Sequence, residues 1–96
     1  MQLPPTSSLQ QALDTTFKIG SAAGAPLLLS EVNLSSSSDA KNFENISLIF
    51  LSSEELEQGT YTLEHGSFDT LDLFLVPVGK QQEQYQYEAL INRETI

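Results

Sequence analysis

Residues 84–92, QYQYEALIN, carry the clearest structural signal in the chain. The larger or more apolar side chains occupy every second position: Tyr85, Tyr87, Ala89 and Ile91. A period of two is typical of a β-strand that buries one face and exposes the other. This stretch therefore predicts a strand, which needs pairing partners elsewhere in the chain.

The segment before that strand predicts a β-hairpin. Residues 60–64 alternate in polarity, and residues 71–78 (LDLFLVPV) form the most apolar run of the chain. Both are rich in the branched and aromatic side chains that favour strands. We expect a turn at residues 65–69 between them, and we expect Pro77 and Gly79 to stop the second strand.

Three further strands are predicted upstream, at residues 15–19, 27–34 and 43–51. Within residues 27–34, Leu29 and Val32 are both apolar but fall on opposite parities. A one-residue slip of this kind in a half-buried strand is what a β-bulge produces. The sequence therefore predicts a bulge near Ser30 and Glu31.

The strand at residues 43–51 has apolar side chains on both parities. Ile46, Leu48 and Phe50 predict one buried face. Ile49 and Leu51 lie on the other side, which indicates that this second face is also partly covered.

The predicted fold is all-β, a single small antiparallel β-barrel or sandwich of about six strands in meander order. Residues 14–96 form the β domain, and residues 1–13 form an N-terminal arm. Within the arm, Thr6-Ser7-Ser8 offers a helix N-cap before apolar side chains at helical spacing, namely Leu9, Ala12 and Leu13. The arm is therefore either a helix of at most two turns or irregular. A further single helical turn is a candidate at residues 52–58 (SSEELEQ).

Composition excludes several classes of function. The chain has 96 residues, no cysteine, 13 acidic and 4 basic residues, and a formal charge of −9. Without cysteine there is no disulfide, no thiolate nucleophile and no cysteine zinc site. With so few and such scattered cations, we expect neither a nucleic-acid partner nor a membrane surface as partner. Residues 1–5 lack signal-peptide features, so we expect a cytoplasmic protein or part of an assembled particle.

No constellation of side chains predicts catalysis, a cofactor or a metal. His65 is the single histidine, and we expect it to be a structural residue at the hairpin rather than a general base. Tyr61, Tyr85 and Tyr87 are candidates for a binding surface or for core-edge positions. Arg93 is expected to fork onto a carboxylate such as that of Glu64 or Glu88. The candidate interaction or fold-specifying residues are therefore Tyr61, His65, Tyr85, Tyr87 and Arg93.

Several motifs resemble a family of short bacterial proteins of unknown function. The matching segments are QGTY at residues 58–61, LEH at 63–65, LFLVPVG at 73–79, YEA at 87–89 and NR at 92–93. The resemblance covers most of residues 9–93, and it departs from the family pattern at residues 66–69. It implies no catalytic residues. Members of this family are often encoded near phage-tail-collar-like proteins, so the resemblance implies a role in surface or tail-like assemblies.

We therefore expect a non-enzymatic interaction or assembly module that binds a protein partner or itself. Self-association through an exposed strand at residues 84–92 is one expected route. The alternatives are a small barrel that binds a small ligand, or an accessory to a neighbouring protein. The inward positions carry large side chains, which disfavours a ligand cavity in a narrow barrel.

Overall fold

One short helix and six strands make up the computed structural model, which describes residues 6–19, 26–35, 43–66 and 68–94. The elements are α1 (Thr6–Gln11), β1 (Thr16–Ile19), β2 (Leu27–Ser35), β3 (Phe43–Ser52), β4 (Gly59–His65), β5 (Phe68–Gln81) and β6 (Gln84–Glu94). The predicted all-β fold with a short N-terminal helix is confirmed. No helix in these ranges is long and apolar enough to cross a membrane.

The strands close into an antiparallel barrel in the order β1-β2-β3-β6-β5-β4. This order differs from the predicted meander, because β3 is followed in space by β6 rather than by β4. The difference arises at the connection 53–58, which leads from β3 to a strand that is not its neighbour. Alternating polarity indicates which face of a strand is buried, but it carries no information on which strand lies beside it.

Strand β6 lies inside the sheet and is not the exposed strand that the sequence led us to expect. It pairs with β3 from Phe43↔Glu94 to Ser52↔Tyr85. On its other side it pairs with β5 from Val76↔Glu88 to Gln81↔Gln84. Its N-terminal half is thus hydrogen-bonded on both edges, so simple strand addition at residues 84–88 is blocked.

Strand β5 continues through the two residues predicted to stop it. Its first half pairs with β4 and its second half with β6, and the register shifts between Pro77 and Gly79. A bulge tolerates proline because the ladder is already interrupted there. A Cβ on Gly79 would lie 2.9 Å from Gln86 Oε1, so glycine lets this side chain lie across the bulge. The turn before β5 is also shorter than predicted, since Phe68 already belongs to the strand.

The predicted bulge in β2 is confirmed. The register against β3 shifts between Leu29 and Glu31, so Ser30 is the extra residue. As a consequence Val32 lies opposite Leu48, on the inner side of the barrel.

The barrel interior is filled by apolar side chains from all six strands and from the helical segment. Phe17 and Phe50 meet edge to face with ring centroids 5.5 Å apart. This geometry suits the opposed charges of aromatic edges and faces. The buried hydrophobic residues are Leu9, Ala12, Phe17, Ile19, Leu27, Leu29, Ile46, Leu48, Phe50, Leu63, Leu71, Leu73, Leu75, Tyr87, Ala89 and Ile91.

The N-terminal segment is helical rather than irregular, and two of its three predicted apolar positions are buried. Leu9 and Ala12 belong to the core, whereas Leu13 is 40% exposed. After the helix, Asp14 adopts a left-handed backbone with φ of 67°, and its N–H donates to the Leu29 carbonyl at 2.8 Å. This bond fastens the end of the helical segment to β2.

Candidate functional site

Tyr87 on β6 is a buried anchor for the connection between β3 and β4. Its hydroxyl donates to the Glu54 carbonyl at 2.9 Å and accepts from the Leu56 N–H at 2.6 Å. Burial raises the pKa of this hydroxyl, while the Leu56 bond opposes the shift. The predicted helical turn at residues 52–58 does not form; instead Ser52 Oγ accepts from the Glu54 N–H at 3.2 Å.

The other two tyrosines lie at the edge of the core. Tyr61 donates its hydroxyl to the Glu57 carbonyl at 2.6 Å, so it holds the same connection as Tyr87. Tyr85 packs partly against the core, and Lys80 Nζ lies 5.3 Å from the centre of its ring. The described contacts of the three tyrosines join β6 and β4 to the connection between β3 and β4, and β6 to β5.

His65 ties β4 to the segment that follows the helix. Its Nε2 lies 2.8 Å from Thr15 Oγ1, and its ring centroid lies 4.6 Å from that of Phe17. The Thr15 hydroxyl donates its one proton to the Ala12 carbonyl, so His65 Nε2 must be the donor to Thr15. This contact joins His65 to a side chain 50 positions away in the sequence, and a structural role for His65 stays a prediction.

A shallow surface recess of about 210 Å³ lies beside His65. Its lining comes from β1 and from the end of β4: Thr16, Lys18, Glu64, His65 and Gly66. Glu64 and His65 both reach it because the bulge between Leu63 and His65 breaks the alternation of the strand. The described ranges hold no group of three or more side chains suited to a metal ion.

Arg93 is the one predicted residue whose side chain lies outside the described part of the chain. Its backbone pairs with Glu44 across the β3–β6 ladder. The expected bond between the Arg93 guanidinium and the carboxylate of Glu64 or Glu88 therefore stays a prediction. Glu88 Oε2 accepts from Ser47 Oγ at 2.7 Å.

The outer surface of the barrel carries a feature that the candidate residues did not include. On β2, β3, β6 and the second half of β5, apolar side chains that are next in sequence to a buried residue point away from the core. We call this set the outer-face patch; its members are Leu28, Ile49, Leu51, Val76 and Leu90. Leu90 is 67% exposed, and the other four are half-buried.

Cross-strand register makes the patch continuous. Leu28 lies opposite Leu51, and Leu51 is two residues from Ile49 on the same face. Ile49 and Val76 both lie opposite Glu88, one on each side of β6. Leu90 is the diagonal neighbour of Ile49, within reach of a branched side chain.

The charges on this face are negative. Glu31, Ile49 and Glu88 lie side by side across β2, β3 and β6. Among the described cations, Lys18 lines the His65 recess and Lys80 Nζ lies over the Tyr85 ring. The sequence indicated this patch at Ile49 and Leu51, because these two residues place apolar side chains on the second face of their strand.

Comparison with known protein families gives a match over most of the chain. A family model described as a domain of unknown function, DUF6916, matches residues 5–91. No curated protein and no solved structure matches the chain.

Proposed function

The chain belongs to the DUF6916 family of domains of unknown function, and we propose that it is a non-enzymatic module that binds another protein. The observation that carries this proposal is the outer-face patch. Apolar patches rimmed by polar residues on a protein surface are a mark of protein–protein interaction sites. Leu90 is the most exposed residue of the patch; it lies diagonal to Ile49 at the edge of the patch and offers a partner an apolar contact.

The internal contacts support a binding role over a catalytic one. His65 and Tyr87 are the side chains best suited to proton transfer, yet each has a described structural partner in the chain. The inward-facing side chains are mainly Leu, Ile and Phe. Interiors of narrow barrels filled in this way favour a packed scaffold over a small-ligand carrier.

The resemblance to short bacterial proteins encoded near phage-tail-collar-like proteins supports a place in a tail-like or filamentous assembly. In that setting the barrel is a rigid scaffold, and the patch supplies the contact with a neighbouring protein. The protein then resides in the cytoplasm or in the assembled particle.

The proposal is tested with the full chain, purified with its partner from cells that produce it naturally. Once the partner is identified by mass spectrometry and purified, calorimetry compares wild type with Leu90→Ser. Leu13→Ser is the matched control, because Leu13 is an exposed leucine outside the patch. We expect Leu90→Ser to weaken binding about tenfold, as loss of an interface anchor does, and Leu13→Ser to leave it unchanged. A chain that retains no partner, or a Leu90→Ser variant that binds like wild type, would refute the proposed function.

A further inference from the structure

The outer-face patch combines an apolar centre with a carboxylate on each side, and this arrangement restricts what can bind it. We propose that the partner docks a cationic amphipathic helix on the patch, an inference that rests on the proposed function. That helix places one Lys or Arg near Glu31, another near Glu88, and apolar side chains over Ile49 and Leu90.

The distance between the carboxylates follows from the strand register. Glu31 and Glu88 lie directly opposite Ile49, on the two strands that flank it. Neighbouring strands are about 4.8 Å apart, so the two glutamate positions are separated by about 10 Å. Ile49 lies midway between them.

In the described part of the chain, each carboxylate accepts a hydrogen bond from an uncharged donor. Ser47 Oγ donates to Glu88 Oε2 at 2.7 Å, and Asn33 Nδ2 donates to Glu31 Oε1 at 3.4 Å. Each carboxylate has further lone pairs that can accept a hydrogen bond from a cation. A guanidinium or ammonium group from a partner would add a charge-assisted bond at each position.

Helical geometry matches this spacing. Residues seven apart in an α-helix lie on one face and are separated by about 10.5 Å along the axis. The positions between them on that face, three and four residues on, would then lie over Ile49, and the side chain nearer to Glu88 would also reach toward Leu90 on the same strand. In an extended strand, residues three apart cover a similar distance but point to opposite faces. A helix whose axis crosses the strands is therefore the better fit.

Charge complementarity selects such a partner over a second copy of this chain. Each copy carries a formal charge of −9, so two copies repel each other. Among the described cations, Lys18 lines a recess with Glu64, and Lys80 Nζ lies over the Tyr85 ring. A partner with cations flanking its apolar residues removes the repulsion and gains contact with both glutamates.

The test uses the full chain and a synthetic helical peptide in which two lysines seven positions apart flank two leucines. The comparison peptide has glutamate in place of each lysine. The variant E31Q/E88Q removes the two patch charges, and E55Q/E57Q is the matched control. Both variants change the net charge equally, but Glu55 and Glu57 lie in the connection between β3 and β4. Circular dichroism verifies that every variant is folded.

We expect calorimetry to show binding of the lysine peptide, weakened about tenfold by E31Q/E88Q and unchanged by E55Q/E57Q. Binding should weaken as salt is raised, and the glutamate peptide should not bind. Three outcomes would overturn the inference. The first is equal weakening by both variants, which would reveal general attraction to an acidic chain, and the second is absence of binding. The third is a dimer, detected by light scattering, that the Leu90→Ser substitution dissociates. If the natural partner is lost with Leu90→Ser but is insensitive to E31Q/E88Q, the proposed function stands and this inference falls.

Discussion

The hydroxyl of Tyr87 accepts a hydrogen bond from the backbone N–H of Leu56 at 2.6 Å. The same hydroxyl donates to the Glu54 carbonyl, so one buried side chain satisfies two backbone groups of an irregular connection. This connection joins β3 to β4, which are not neighbours in the barrel. Tyr87 therefore stabilises the connection at which the strand order departs from a meander. Leu56 itself packs partly against the core beside it.

Replacing Tyr87 with phenylalanine should lower the free energy of unfolding by about 1–3 kcal/mol. The change keeps the buried ring but leaves the Leu56 N–H and the Glu54 carbonyl without this partner. Urea denaturation measures the effect. Tyr61→Phe is the control, since its hydroxyl bond to Glu57 is exposed and water can replace it, so a smaller loss is expected. Equal losses in the two variants would contradict the anchoring role.

Alkaline pH should destabilise the protein through the same hydroxyl. Burial raises the pKa of Tyr87 above its ordinary value of 10.0, so the folded state holds the proton more tightly than the unfolded chain. This contribution to stability is fully present below about pH 10, and it is lost as pH rises through the higher folded-state pKa. Urea denaturation across this range should show a steeper loss for wild type than for Tyr87→Phe. Parallel curves would show that Tyr87 does not titrate as its burial requires.

Local sequence pattern was sufficient for those parts of the fold that depend on which face of a strand is buried. The slip between Leu29 and Val32 located the β2 bulge, because an extra residue is the simplest way to keep both side chains inside. Alternation at Tyr87 and Ala89 likewise identified the inner face of β6. These features are determined by residues close together in the sequence.

Features that depend on distant residues could not be predicted in this way. The pairing of β3 with β6 and the bond between Thr15 and His65 join segments far apart in the chain, and neither leaves a local pattern. The prediction that Pro77 ends its strand was wrong for a related reason. The bulge that accommodates this proline forms where β5 changes partner from β4 to β6. The outer-face patch was missed because its members come from four strands whose order was unknown.

The contact between Thr15 and His65 should couple the helical segment to β4. A double-mutant cycle with Thr15→Val and His65→Ala isolates it, with stability measured by urea denaturation. We expect a coupling energy of about 0.5–1.5 kcal/mol, the range for a partly buried hydrogen bond. Single variants whose effects simply add would show that the two side chains stabilise the fold independently.

Leu9 and Leu13 should differ sharply in their importance, although they occupy similar positions in the sequence pattern. Leu9 is 1% exposed within the core, so Leu9→Ala should cost about 2–5 kcal/mol through lost burial and a residual cavity. Leu13 is 40% exposed, so Leu13→Ala should change stability by no more than about 0.5 kcal/mol. Equal and small effects in urea denaturation would mean that the helix does not contribute to the barrel core, and the N-terminal segment would then act as a loosely attached arm.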